Sequence, residues 1–127
     1  MEIKQELDGR VLVRERTCEV FDEHLITFCL FKMPGQTLLL WIGDQNEQKR
    51  NQLANLCLAV NGSATTIVGN ESNSVAVNSL AARLGEKFNK RAPVYLSYNL
   101  SGAVYSSKPF MLRIEELANE FLQEKSD

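Results

Sequence analysis

Few side chains in this sequence are of a type that does chemistry, and none stands at a working spacing from another. His24 is the single histidine and follows Asp22 and Glu23. A histidine beside a carboxylate can act as a general base, but only with a nucleophile or a metal to serve. Cys18, Cys29 and Cys57 are odd in number and far apart, with no Cys-x-x-Cys or Cys/His pairing. Neither a zinc site nor a disulfide framework is expected from them. They read as reduced, half-buried thiols that pack as small hydrophobes. Ser97 has no histidine or carboxylate at a spacing that would make it a nucleophile. His24 reads as a polar group at a strand edge. The expectation is a protein that is not an enzyme, with no catalytic residue, no cofactor and no metal.

What remains is a scaffold, and its most informative stretch runs from residue 77 to residue 100. Val77, Leu80, Ala81, Leu84 and Phe88 fall on one helical stripe. Val94, Leu96, Tyr98 and Leu100 then alternate with Tyr95, Ser97 and Asn99, as in a strand with two different faces. A helix that docks on a sheet and a strand that enters the sheet are expected. Tyr98 belongs to the core face; Tyr95, Ser97 and Asn99 share the other, more exposed one.

Earlier in the chain, strand signals begin at Thr17. Residues 18–21 form a short run, Asp22 and Glu23 suit a turn, and residues 24–32 are a longer β-rich run. Pro34-Gly35 marks a tight connection, and residues 37–43 complete a hairpin. In that last strand Leu38, Leu40 and Ile42 lie on one face, and Leu39 and Trp41 on the other. Strands apolar on both faces are usually central and covered twice. In so short a chain the second cover is either a partner or the sheet folded on itself. Trp41 accordingly fits two roles, an interface anchor or part of the core.

Residues 53–60 fit a helix or a strand; strand is the reading adopted, because Asn61-Gly62 is favoured hairpin chemistry and residues 64–68 look like the returning strand. Residues 69–74 are a polar loop in which Asn73 or Ser74 caps the next helix. Gly85 inside that helix allows close approach to the sheet, at about 1 kcal/mol relative to alanine. After Ser101-Gly102 a short strand at 103–105 precedes a last helix, with Pro109 in its first turn. Phe110, Ile114, Leu117, Phe121 and Leu122 stripe that helix. The fold class expected is α+β: a single domain with an antiparallel β-sheet of about six strands, sandwich-like, and two α-helices on one face. Residues 1–16 form a charged N-terminal extension, part of which is expected to be disordered, with a short edge strand as an option at 11–13; residues 17–127 form the domain.

Composition bounds the partners. The 127 residues are 44% hydrophobic and 24% charged, ordinary for one soluble domain. Fourteen Lys and Arg against sixteen Asp and Glu leave net charge −2, which offers no general attraction to nucleic acid or to anionic membrane. The charged start lacks the apolar core of a signal peptide, and the apolar run at 38–42 is too short to span a bilayer. A cytoplasmic home is expected, with the nucleus open as well. Charge is also patterned along the helices. Arg83, Lys87 and Lys90 form a basic stripe; Glu116, Glu120 and Glu124 form an acidic one. Either the two stripes face each other, or the basic one meets an acidic surface on a partner.

At Leu38-Leu-Leu-Trp-Ile-Gly43, at Leu80-Ala-Ala-Arg-Leu84 followed by Lys87-x-Asn-Lys90, and at Ser97-Tyr-Asn-Leu100, the chain resembles the proteasome assembly chaperone 4 family. Order and spacing match over roughly residues 17–124. Two features depart: the charged extension before Thr17, and Ala92-Pro93, which lengthens the loop before the strand. The resemblance implies a small β-sheet protein that pairs with proteasome assembly chaperone 3. The heterodimer binds proteasome α-type subunits and promotes assembly of the α-ring of the 20S core, without catalysis or cofactor. It carries Trp41, Gly43, Arg83, Lys87, Asn89, Lys90, Ser97, Tyr98 and Asn99 as residues of the shared motifs. With parity added, the candidate partner-binding set is Trp41, Leu39, Tyr95, Ser97, Asn99, Arg83, Lys87 and Lys90. The alternative is a longin- or roadblock-like scaffolding module of a trafficking complex, which would lack the Trp-x-Gly and Ser-Tyr-Asn-Leu combination.

Overall fold

The computed structural model describes residues 2–7, 11–44, 55–68, 74–88, 92–100 and 107–123. Seven strands and two helices follow in the order β1 (Glu2–Leu7), β2 (Val11–Val20), β3 (His24–Lys32), β4 (Leu38–Asp44), β5 (Leu56–Val60), β6 (Ser63–Val68), α1 (Ser74–Phe88), β7 (Val94–Asn99) and α2 (Lys108–Gln123). All seven strands join one sheet in the spatial order β1-β2-β3-β4-β7-β5-β6.

Local chemistry explains the hairpins. β3 and β4 are joined by a 3-10 turn at Pro34–Gln36, in which Pro34 sets its own φ and Gly35 takes φ +79°. β5 and β6 are joined by Asn61-Gly62, with φ +53° and +79°, the two left-handed residues that a two-residue hairpin turn needs. Residues 56–60 are thus strand, the option chosen over helix. Between β2 and β3 the chain turns through Phe21 and Asp22, both at positive φ, closed by Glu23 N–H donating to Val20 C=O at 3.3 Å. Positive φ is costly for a bulky aromatic, and the Phe21 ring packs edge-on against Phe110 at 5.9 Å.

The sheet centre is built over long range. β4 pairs with β3 on one side and, in parallel, with β7 on the other. Parallel neighbours need a crossover; here the β5–β6 hairpin and α1 supply it, and β7 then enters between β4 and β5. Leu38 N–H, donating to Pro93 C=O at 3.2 Å, extends that junction to the strand start.

Both helices cover one face. α1 lies over β5, β6 and β7, and α2 over β2 and β3, where the Phe121 and Phe28 rings are 6.1 Å apart. The core between them takes Ile26, Phe28 and Leu30 from β3, Leu40 and Ile42 from β4, and Leu96 and Tyr98 from β7. The helices contribute Val77, Leu80, Ala81 and Leu84, then Phe110, Ile114, Leu117 and Phe121. These are the stripes that the 3.6-residue period marks out. Each fully buried large side chain contributes about 1.5–3 kcal/mol of transfer free energy.

The α+β class and the helices on one face hold; the sheet differs in detail. Among the described residues it has seven strands rather than about six, joined in one sheet, and one neighbouring pair is parallel. A parallel pair is set by the crossover, which strand alternation alone does not reveal. Nor is the N-terminal extension a separate segment. Residues 2–7 pair with β2, and the expected boundary at 16/17 falls inside β2. The cap at 73–74 and the short strand at 103–105 lie outside the described residues and side chains.

β2 carries a buried cation. Arg14 is 2% exposed on the helix side of the sheet. Its Nη2 donates to the Phe121 carbonyl, in the last turn of α2, and its guanidinium sits 4.2 Å from the Phe121 ring centroid. Helix C-terminal carbonyls lack intrahelical partners and carry partial negative charge. Arg14 therefore caps α2 from the sheet and ties the first long strand to the last helix.

Candidate partner-binding face

The face of the sheet away from the helices has no cover among the described residues. Alternation in β4 sends Leu40 and Ile42 beneath the helices and leaves Leu39, Trp41 and Gly43 on this open side. Strand register extends each into a row. Leu39 stands between Phe31 and Tyr95, with Val13 beyond Phe31 and Leu58 beyond Tyr95. Trp41 stands between Cys29 and Ser97, with Glu15 beyond Cys29. Gly43 stands between Thr27 and Asn99, with Thr17 beyond Thr27. The first row is apolar throughout, the second mixed and the third polar, so the face is graded along the strand direction.

Trp41 is half-buried, and its indole lies along its own strand over Gly43. A Cβ at position 43 would stand 2.7 and 2.8 Å from the indole Cζ2 and Cζ3. Glycine at this position is what lets the ring lie flat. The polar row is bonded within itself and to the row beside it. Thr17 and Thr27 hydroxyls bond at 3.0 Å, and Asn99 Nδ2 donates to Ser97 Oγ at 2.8 Å and to the Ile42 carbonyl at 3.3 Å.

The candidate residues separate into three groups. Leu39, Trp41, Tyr95 and Asn99 come together on the open face, half-buried. Ser97 shares that face but is 0% exposed, held between the Trp41 and Tyr95 positions and bonded by Asn99. It is a buried support for the surface and is not itself presented. Arg83 and Lys87 lie on α1, on the other side of the sheet. Lys90 lies outside the described residues.

Arg83 is already engaged. Its Nε and Nη2 donate to the two carboxylate oxygens of Glu115 on α2, at 2.9 and 2.7 Å, and this bond holds the guanidinium above its ordinary pKa. The helices do face each other with opposite charge, as one of the two readings has it, but through Glu115. Glu116 instead accepts from Arg113 of its own helix at 3.1 Å. The pair spans an open groove of about 660 Å³ between α1 and α2, floored by Leu80 and edged by Met111 and Leu112.

The described thiols are not set up for covalent chemistry. Burial, with the Glu15 carboxylate adding to it, pushes the Cys29 thiol up to about 11. Burial likewise pushes Cys57 to about 11 and raises Cys18. Thiols so placed stay protonated near neutral pH and are poor nucleophiles. His24 sits at the start of β3, 3.7 Å from the Glu23 carboxylate and edge-on to the Phe110 ring at 5.5 Å. No three His, Cys, Asp or Glu side chains cluster as metal ligands among the described residues.

Phe31, Cys29, Val13 and Glu15 belong to this face and were missed in the sequence. The signal for Phe31 and Cys29 was present: the Pro34–Gly35 turn fixes which β3 residues stand beside Leu39 and Trp41. Val13 and Glu15 could not be placed: residues 11–13 read as a short edge strand within a charged extension, and nothing local pairs them with β3.

Comparison with known proteins agrees with this architecture. A chain of the crystal structure of a novel chaperone complex for yeast 20S proteasome assembly shares the fold, with a TM-score of 0.58 at 16% identity over 89% of this chain and 95% of that one. No curated protein matches. The family model for proteasome assembly chaperone 4 matches residues 25–100, more than half of the chain. That span opens in β3 and closes just after β7, and so holds Leu39, Trp41, Gly43, Tyr95 and Asn99, the centre of the open face. By that match the chain belongs to the proteasome assembly chaperone 4 family.

Proposed function

We propose that this protein is a chaperone of 20S proteasome assembly that pairs through its open sheet face with proteasome assembly chaperone 3. The heterodimer then binds α-type subunits and promotes formation of the α-ring, in the cytoplasm and the nucleus, without catalysis. The observation that carries the reading is the row Val13–Phe31–Leu39–Tyr95–Leu58 beside Trp41, a half-buried apolar patch with no helix over it among the described residues. Soluble monomers rarely leave such a patch to water. A second sheet laid on it would bury these side chains at the usual spacing of about 10 Å between sheets. The family match and the fold shared with a yeast proteasome assembly chaperone support the same role. The alternative reading, a trafficking scaffold, is left to the experiment below.

Affinity isolation of the full chain from cells, followed by mass spectrometry, tests the role. Proteasome α subunits and a second small chaperone, without mature β subunits, are expected. Recovery of trafficking-complex subunits and no α subunits would contradict it. Co-expression with proteasome assembly chaperone 3 is expected to give a stable 1:1 complex, whereas the chain alone is polydisperse.

A further inference from the structure

Strand β2 sorts its charges by face. Arg14 and Arg16 turn beneath α2, both against the Phe121 ring. Glu15 and Glu19 alternate with them and stand on the open face, opposite Cys29 and Leu25 of β3. Glu15 is thus two strands from Trp41, in the same row. The remaining described residues of this face, on β3, β4, β7 and β5, are uncharged. Wherever it is described, the face carries two acids and no base.

We propose that the open face selects a partner presenting a lysine or arginine over Glu15, beside apolar side chains over Trp41 and Leu39, and that it rejects a second copy of this chain. The proposal rests on the reading of this face as the pairing surface. Covering a carboxylate removes its water, and that loss must be offset by an opposite charge or by hydrogen bonds. A second copy docked about a twofold axis would set the same face against itself. That face brings no described base, so Glu15 would lie under apolar side chains or across from other carboxylates. A partner with a base there instead forms a charge-assisted bond and is steered into register during encounter. Attraction to one partner and repulsion of the other then act together, as selective pairing requires.

The test uses the full chain with proteasome assembly chaperone 3 as partner, and compares wild type with the double variant Glu15→Gln, Glu19→Gln and with Trp41→Ala. Affinity is measured at low and high salt, homodimer by light scattering, and folding by thermal melting. The Gln pair is expected to weaken the heterodimer about tenfold at low salt, to flatten its salt dependence, and to raise the fraction of defined homodimer. Both substitutions keep shape on the uncovered face, so melting should be unchanged. Wild-type affinity and salt dependence in the Gln pair, with Trp41→Ala breaking the heterodimer, overturns the charge selection alone. An intact heterodimer in Trp41→Ala overturns the pairing-surface reading and this proposal with it.

Discussion

At the scale of single residues, the buried groups are those whose roles diverge most from their types. Arg14 is a strand arginine inside the core, and its hydrogen bond to the Phe121 carbonyl is charge-assisted. Arg14→Ala removes that bond and leaves the space of a long side chain; destabilisation by about 2–3 kcal/mol is expected from urea unfolding. Arg14→Lys should recover only part of it, since a lysine cannot both reach the carbonyl and stack on the ring. The thiols give a pH prediction. Cys29 and Cys57 both have folded-state values near 11, above the ordinary value of 9.0. The folded protein therefore holds these protons more tightly than the unfolded chain does. Their contribution is fully present below pH 9 and is lost as pH rises from 9 to 11. Denaturant midpoints should fall across that window in the wild type and fall less in Cys29→Ala with Cys57→Ala.

Among the elements, two glycines that look alike in sequence should respond oppositely. Gly85 faces the sheet from α1, and an added Cβ would stand 3.4 Å from the Ala59 Cβ, an ordinary contact. Gly85→Ala should therefore gain helix propensity at little steric cost and raise stability by up to about 1 kcal/mol. Gly43→Ala should lift the Trp41 indole off β4 and weaken pairing, and thermal melting with partner titration separates the two. The elements themselves were largely legible. The hairpins β3–β4 and β5–β6 carry their turn residues between two runs of strand-forming residues, and both helices carry stripes at the helical period. What sequence could not show was adjacency. Nothing local states that β7 inserts between β4 and β5, or that its direction matches β4. The same limit hid much of the N-terminus: residues 11–13 carry an edge-strand signal, but the middle of the strand, with Arg14 and Arg16 on one parity and Glu15 on the other, reads as polar. Only the position of α2 reveals that one parity is covered. Ser97 illustrates the converse. Parity placed it on the open face, but parity alone does not show that it is fully buried there.

For the molecule as a whole, the layers are unequal among the described residues: two helices on one side of a seven-stranded sheet, and on the other an apolar row with none. The helix side is locally satisfied, with Arg83 and Glu115 paired across the groove. An exposed pair of this kind contributes about 0–1 kcal/mol. Reversing Arg83 and Lys87 to Glu should leave the heterodimer intact, which makes that variant a control for changes on the open face. The chain contains one tryptophan, and it lies at the centre of that face. Biosynthetic labelling with 5-fluorotryptophan, in this chain only, therefore yields a single fluorine resonance that reports on Trp41. Titration with unlabelled proteasome assembly chaperone 3 should shift that resonance and abolish its solvent-isotope shift as the 1:1 complex forms. A complex of that mass in which the Trp41 resonance keeps both its position and its isotope shift would show that pairing occurs elsewhere on the molecule.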